Sequence, residues 1–143
     1  MELLARAARE GVAPDIHALV AAVPYCAFLG VTAKLDGDRI ILAMPFATKL
    51  IGNPVIPAIH GGVIGSLLEM AAIMQSVWDT KVAAFPKPVD ITVDYLRTGR
   101  AVTSYASARL ARQGRRVVNV HAQMWQEDEA KPVAGLRGHL LLP

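Results

Sequence analysis

The residues best suited to chemistry in this sequence are a His-Gly-Gly run and one carboxylate that follows it. His60, Gly61 and Gly62 stand where an irregular loop enters a long apolar segment, 61–79, that contains no proline. The first turn of a helix leaves backbone N–H groups without partners and carries partial positive charge, and glycine leaves that backbone open to a ligand. The run can therefore bind an anion, or an oxygen on which negative charge develops during a reaction.

Glu69 is the only charged residue between His60 and Asp79. A lone carboxylate in an apolar helix is unfavourable unless it is paired or hydrated. It is therefore either a reactive group, acting as a base or a nucleophile, or a structural carboxylate that pairs with an arginine or caps a backbone. Helical spacing predicts one small, partly polar stripe beside it, formed by Gly62, Ser66, Ile73 and Ser76.

The spacing of the two features predicts a second subunit. Gly62 and Glu69 share a helix face but are about 10 Å apart along the axis, so a single carbonyl group cannot contact both. Two antiparallel copies of the helix would bring Gly62 of one chain to Glu69 of the other. A hydrophobic content of 53% also favours an oligomer interface. We therefore predict a homodimer with two composite sites.

The elements that must position these residues predict a single α+β domain, 1–143, with an antiparallel β-sheet wrapped around a long central α-helix. The segment 1–22 is an extra N-terminal helical segment, interrupted near 11–14, and 46–60 is an irregular loop. Short connections between successive strands predict that they pair antiparallel. The predicted strands are 28–34, 39–45, 89–96, 101–110, 117–125 and 133–142.

Composition excludes several classes of function. The net charge of +3 is too small for a nucleic-acid-binding protein, and no apolar stretch reaches the length of a membrane helix. Cys26 is the only cysteine, so neither a disulfide within the chain nor a cysteine-rich metal site is expected. The histidines lack ligand spacing, and we expect no metal. The N-terminus does not have the pattern of a signal peptide, so we expect a cytoplasmic protein.

The run His60-Gly61-Gly62, followed after six residues by Glu69, resembles the motif of the hotdog-fold acyl-CoA thioesterases. The most similar subgroups are the phenylacetate-pathway (PaaI-like) enzymes and the 4-hydroxybenzoyl-CoA thioesterases. The resemblance covers roughly residues 20–142 and includes the strand 89–96 and the turn 112–116. It implies a hotdog fold, hydrolysis of an acyl-CoA to a free acid and coenzyme A without a cofactor, and a dimer of dimers.

The resemblance also implies a role for each matching position. The N–H of Gly62 would polarise the thioester carbonyl, Glu69 of the partner subunit would act as general base or nucleophile, and His60 would orient the thioester or hold the loop. The acyl group would meet Gly61, Asn53, Ser66, Ile73 and Ser76. Coenzyme A would contact Tyr95, Arg97, Thr98, Arg112, Gly114, Arg115 and Arg116, since arginine binds phosphate through directed hydrogen bonds.

The sequence departs from the family pattern at positions that help to hold water. Many relatives have asparagine where this chain has Pro54, and some have threonine where it has Ile73. Asn53, Gln75 and Ser76 are the alternative polar groups, and spacing does not choose among them.

Two other functions remain open at this point. The run 52–57 resembles a loop of hydroxyacyl dehydratases, but the position of their catalytic histidine is Lys49 here. A hydratase or dehydratase is therefore the weaker alternative. A non-catalytic acyl-CoA-binding hotdog protein is the alternative from another class.

Overall fold

The computed structural model describes residues 1–143 and begins with three short helices, α1 (Glu2–Glu10), α2 (Ile16–Ala22) and α3 (Pro24–Leu29). Gly11 ends α1 in a left-handed conformation with φ 66°, and Asp15 begins α2 by accepting two backbone N–H bonds. The predicted helical segment with its interruption is therefore confirmed. The prediction of a strand from residue 28 is wrong in its first half, because Pro24 favours the first turn of a further helix.

The long apolar segment forms α4 (Gly61–Thr80), as predicted. The remaining elements are strands and one 3₁₀ turn, Thr48–Leu50. The strands are β1 (Thr32–Asp36), β2 (Arg39–Met44), β3 (Ile51–Asn53), β4 (Ala58–Ile59), β5 (Lys87–Tyr95), β6 (Ser104–Gln113), β7 (Val117–Trp125) and β8 (Ala134–Leu141).

Six of the strands form one antiparallel sheet in the order β1-β2-β6-β7-β8-β5, and β3 and β4 form a separate hairpin. The sheet wraps around α4, whose Leu67, Leu68, Met74 and Val77 are completely buried. By length and hydropathy α4 reaches the lower limit for a membrane helix, contrary to the sequence expectation. The sheet buries half of the residues of α4, as expected for the core helix of a folded domain.

The expected pairing of successive strands is wrong for β5 and β6. Both β5 and β7 pair with β8, and β6 lies between β2 and β7. The connection between β5 and β6 instead crosses the start of α4, where the Ile59 N–H donates to the Gly99 carbonyl at 2.9 Å. A side chain at Gly99 would approach the Ile64 Cδ1 of α4 to 3.1 Å, so the chain passes close to α4 at this crossing.

The crossing leaves β5 at one edge of the sheet, with its outer backbone groups unpaired. Val89, Tyr95 and Leu96, in or directly after this strand, are 63%, 57% and 56% exposed. A long, apolar edge strand is a ready template for pairing with another chain.

Candidate active site

A small hairpin fixes His60 at the start of α4. The His60 N–H donates to the Leu50 carbonyl at 2.8 Å, across the β3–β4 pair. Gly52 packs so closely on this residue that an added Cβ would lie 2.7 Å from the His60 Cα. The loop predicted as irregular therefore holds the histidine backbone rigidly.

The His60 side chain caps the helix that follows it. Its Nδ1 accepts the Gly62 N–H at 2.8 Å, and its carbonyl accepts the N–H groups of Val63 and Ile64 at 3.0 and 3.2 Å. An Nδ1 that accepts a hydrogen bond carries no proton, so neutral His60 has its proton on Nε2. The expectation that the Gly62 N–H polarises a carbonyl does not fit this geometry, because that N–H is already bonded.

Gly61 supplies the free donor instead. Its backbone N–H makes no hydrogen bond within the chain, although it belongs to the first turn of α4. Sequence reasoning assigned the donor role to Gly62, because spacing does not reveal which N–H the histidine side chain caps. The helix start therefore offers one amide, and the partial positive charge of a long helix, to an incoming oxygen.

Tyr95, at the end of β5, contacts the same backbone. Its hydroxyl donates to the Gly61 carbonyl at 2.8 Å. A Cβ added to Gly61 would lie 3.3 Å from the Tyr95 Oη. The residue expected to contact coenzyme A is thus already engaged with the helix start. The alternating pattern of β5 predicted that Tyr95 and Val93 share one face of the strand. It did not predict which residue of α4 Tyr95 contacts.

Glu69 lies two turns further along α4 and is partly buried. Its carboxylate makes no hydrogen bond and no ion pair within the chain. Burial alone raises the pKa of Glu69 above the ordinary glutamate value. The structural explanation, an arginine pair or a cap, is therefore not found in this chain, and a partly dehydrated carboxylate remains available for reaction.

The side of α4 that carries Glu69 faces the edge strand. Gly65, one turn earlier, lies about van der Waals distance from Val93 and Tyr95 of β5, because a Cβ added there would meet their atoms at 4.0 and 3.8 Å. Side chains four residues apart on a helix point the same way. Glu69 and Gly61 therefore both lie on the side of α4 that faces β5.

The rest of the predicted stripe is divided. Ser66 is partly buried, and its hydroxyl donates to the Gly62 carbonyl at 2.7 Å, so it lies at the helix start as expected. Ser76 is completely buried, with its hydroxyl bonded to the Ala72 carbonyl, and Ile73 is only 8% exposed. Within one chain these last two residues line no open cleft, since the sheet covers that part of α4.

Two of the alternative water-holding groups are also committed elsewhere. The Gln75 amide accepts the Ile40 N–H at 2.9 Å and donates to the Asp38 carbonyl, which ties α4 to the β1–β2 turn. Ser76 is buried as described. Asn53 is exposed in the hairpin, where its side chain accepts the Val55 N–H at 3.0 Å. Of the three side chains, only Asn53 therefore keeps a free donor, its Nδ2 group, that can reach a ligand.

The predicted coenzyme A residues fall into two groups. Arg97 and Thr98 are exposed just after β5, and the Arg97 guanidinium donates to the Pro132 carbonyl at 2.6 Å. The other group is the β6–β7 turn. There Arg112 and Gly114 line a cavity of about 520 Å³ whose remaining walls are Val117, Asn119 and His139.

This turn is cationic and ordered. Arg112, Arg115 and Arg116 are exposed and have no carboxylate partner. His139 in the cavity wall is held between Asn119, at 3.0 Å from its Nε2, and Asp90, at 3.0 Å from its Nδ1. Sequence reasoning did not include Asn119 or His139 in this site, because the pairing of β7 with β8 brings them together only in the folded sheet.

The two groups lie at opposite ends of β5. In register across the sheet, Asp90 pairs with His139, His139 with Asn119, and Asn119 with Arg112. Tyr95 lies five residues further along β5, a distance of about 17 Å. One chain therefore does not bring the β6–β7 turn to its own Gly61.

A further cavity of about 460 Å³ lies on the outer face of the sheet, away from α4. Of its three arginines, Arg39 and Arg137 are paired with Glu129 and Asp94, and Arg109 lies 3.2 Å from His121 Nδ1 without a carboxylate partner. No group of three histidine, cysteine, aspartate or glutamate side chains is close enough to hold a metal ion.

Comparison with known sequences decides the family. Residues 52–138 match the family described as the acyl-CoA thioesterase N-terminal domain, and this stretch includes His60, Glu69 and Arg112. The chain belongs to this family.

Individual relatives agree with this assignment. The medium/long-chain acyl-CoA thioesterase YigI of Salmonella typhimurium is 30% identical over 101 residues, which are 62% of this chain and 65% of that protein. YigI of Escherichia coli K12 is 29% identical over the same shares. The matched part thus spans slightly less than two thirds of these relatives.

Solved structures confirm the hotdog fold. A Chromobacterium violaceum protein is 34% identical with a TM-score of 0.76, over 100% of this chain and 98% of its own. The PaaI protein from the phenylacetic acid degradation operon of E. coli has a TM-score of 0.77 over 98% and 96% of the two chains, at 22% identity. The expected antiparallel sheet around a central helix is therefore the fold of this family.

Proposed function

We propose that this protein hydrolyses the thioester of an acyl-CoA, giving a free acid and coenzyme A, in sites shared between two subunits. The observation that carries the proposal is Glu69, a partly buried carboxylate without a partner, in the same helix whose first residue, Gly61, has a free N–H. The family to which the chain belongs supports the same reaction.

The Gly61 N–H is the group that we assign to the thioester oxygen. It would donate a hydrogen bond to this oxygen as negative charge develops there, which lowers the barrier to attack on the carbonyl carbon. His60 would act by capping Gly62 rather than by touching the substrate. This assignment replaces Gly62 by its neighbour and keeps the reaction expected from the sequence.

Glu69 would supply the base or the nucleophile. As a base it would take a proton from water while the water oxygen attacks the carbonyl carbon and the carbon–sulfur bond breaks. As a nucleophile its own oxygen would attack, and water would then hydrolyse the mixed anhydride. Both routes need the ionised carboxylate, and in both the carbon–sulfur bond breaks to release coenzyme A as a thiolate that takes up a proton. In the second route this release forms the anhydride and comes before the attack by water.

We propose a homodimer that pairs two β5 edge strands antiparallel. The exposed apolar residues of β5 and its unpaired backbone support this interface. Antiparallel pairing would bring the Lys87 end of one β5 beside the Tyr95 end of the other. The β6–β7 turn of one chain and the Gly61 of its partner would then lie at the same end of the joined sheet, where the arginines could bind coenzyme A phosphates. A dimer of dimers and a cytoplasmic location stay predictions.

A panel of acyl-CoA substrates tests the reaction. The panel contains medium-chain, long-chain, aryl and arylacetyl thioesters, and release of the coenzyme A thiol is followed with a chromogenic thiol reagent. We expect turnover in the wild type, a loss of at least about 100-fold in kcat for Glu69→Gln, and little change in binding of the substrate. Glu2→Gln, at an exposed position of α1, is the matched control.

The same panel separates the alternatives. If the protein binds acyl-CoA but hydrolyses no member of the panel, it is a non-catalytic acyl-CoA-binding protein. Normal turnover in Glu69→Gln would show that another group performs the chemistry.

A further inference from the structure

The Gly61–Gly62 peptide is bonded at both of its ends. Its carbonyl, from Gly61, accepts the Tyr95 hydroxyl at 2.8 Å, and its N–H, from Gly62, donates to His60 Nδ1 at 2.8 Å. The peptide before it is also tethered, since the His60 carbonyl accepts the Val63 and Ile64 N–H groups. Gly61 is therefore held from both sides.

Two consecutive glycines have more backbone freedom than any other pair of residues. Without tethers, the peptide planes beside Gly61 would sample several orientations, and the Gly61 N–H would point in a range of directions. A hydrogen-bond donor stabilises developing charge best when its direction is fixed before the reaction begins. At this helix start the Val63 and Ile64 N–H groups hold the peptide plane that carries the Gly61 N–H, and the His60 and Tyr95 side chains hold the plane that follows it.

We propose that Tyr95 is a positioning residue that, together with His60, clamps the Gly61–Gly62 peptide and so aims the free Gly61 N–H at the thioester oxygen. This inference rests on the thioesterase function proposed above. It assigns to Tyr95 a role different from the coenzyme A contact expected from the sequence.

The close packing around the clamp explains why glycine occupies both positions. A Cβ at Gly61 would lie 3.3 to 3.4 Å from the Tyr95 ring and hydroxyl, and a Cβ at Gly62 would lie 2.9 Å from His60 Nδ1. Either side chain would push one of the two clamping groups away. The glycines are thus needed for the approach of Tyr95 and His60 as well as for the approach of a ligand.

Tyr95→Phe removes only the hydroxyl and keeps the ring that packs on Gly61. We expect kcat to fall about 10-fold, less than for removal of a donor itself, because the Gly61 N–H remains but is no longer fixed. KM should rise by a smaller factor than kcat falls, because the same N–H also contacts the carbonyl of the bound substrate. Tyr105→Phe is the matched control, since the Tyr105 hydroxyl makes no hydrogen bond within the chain and its ring stacks on Trp125.

Two unreactive ligands separate positioning from general damage to the site. One is an acyl-CoA analogue with a ketone in place of the thioester, and the other is an S-alkyl-CoA thioether with no carbonyl. Tyr95→Phe should weaken binding of the ketone several-fold and leave binding of the thioether unchanged. A purely structural role would weaken both ligands equally and would overturn the proposal.

The kinetic outcomes are also distinct. If the wild type hydrolyses acyl-CoA, Glu69→Gln is inactive and Tyr95→Phe keeps a normal kcat, the clamp is wrong while the thioesterase function stands. A raised KM with normal kcat would return Tyr95 to a coenzyme A contact. If the wild type itself hydrolyses no thioester, the failure lies with the proposed function.

Discussion

At the scale of single residues, Glu69 opposes the stability of the fold that contains it. The carboxyl is partly buried without a partner, and its pKa is raised by loss of hydration. A raised pKa in the folded state means that the charged form is less favourable there than in the unfolded chain. Above the ordinary pKa of glutamate, where the unfolded chain carries the charge, the residue therefore lowers the free energy of unfolding.

Glu69→Gln should consequently be more stable than the wild type near neutral pH, by about 2 °C in Tm. The gain should disappear at about pH 3, below the ordinary pKa of glutamate, since the carboxyl is then neutral in both states. Thermal unfolding followed by circular dichroism at the two pH values measures both effects. Equal Tm values at neutral pH would mean that Glu69 has a favourable partner in the assembled protein.

At the scale of elements, the β6–β7 turn allows recognition of coenzyme A to be tested separately from catalysis. Arg112 lines the cavity there and has no carboxylate partner. If the turn binds nucleotide phosphates, Arg112→Ala should raise KM about 10-fold for an acyl-CoA and leave kcat unchanged. An acyl-pantetheine, which lacks the nucleotide, should show no difference between the variant and the wild type.

The control for this experiment is Arg6→Ala, since Arg6 is an exposed arginine of α1 that pairs only with Glu10. An equal rise in KM for acyl-CoA and acyl-pantetheine would mean that Arg112→Ala changes the shape of the site. The turn would then not bind the nucleotide.

Elements also show what the sequence could and could not predict. The bounds of α4 and β7 follow closely from periodicity and from the turns beside them, because these features are local. The sequence did not predict which strand pairs with β5. The crossing at Gly99 depends on contacts with Ile59 and Ile64 that form only in the folded chain. Strand order is a property of the whole sheet.

The candidate site divides in the same way. The motif correctly brought His60 and both glycines to the start of α4, because a helix start is a local feature. The choice between Gly61 and Gly62 as donor depended on the rotamer of His60, and the role of Tyr95 depended on the position of β5. Neither is encoded in spacing along the chain.

At the scale of the whole molecule, the central question is whether Gly61 and Glu69 of one site come from two chains. They are eight residues apart in α4, about 12 Å along its axis, which is too far for both to touch one thioester. Both lie on the side of α4 that faces β5, the edge strand of the sheet. A two-fold dimer through that edge would give two sites, each with the helix start of one chain and the carboxylate of the other.

Mixing two variants, each damaged in one half of the proposed site, tests this arrangement directly. Glu69→Gln lacks the carboxylate, and Gly62→Ala should lose the His60 cap, since its Cβ would lie 2.9 Å from Nδ1. If the site is shared, a mixed dimer contains one doubly damaged site and one intact site. After unfolding and refolding of an equal mixture, half of the dimers are mixed, so about a quarter of the wild-type activity should return. Each variant refolded alone is the control. Native mass spectrometry shows whether mixed dimers have formed. If they have formed and the mixture regains no activity, both groups of a site belong to the same chain.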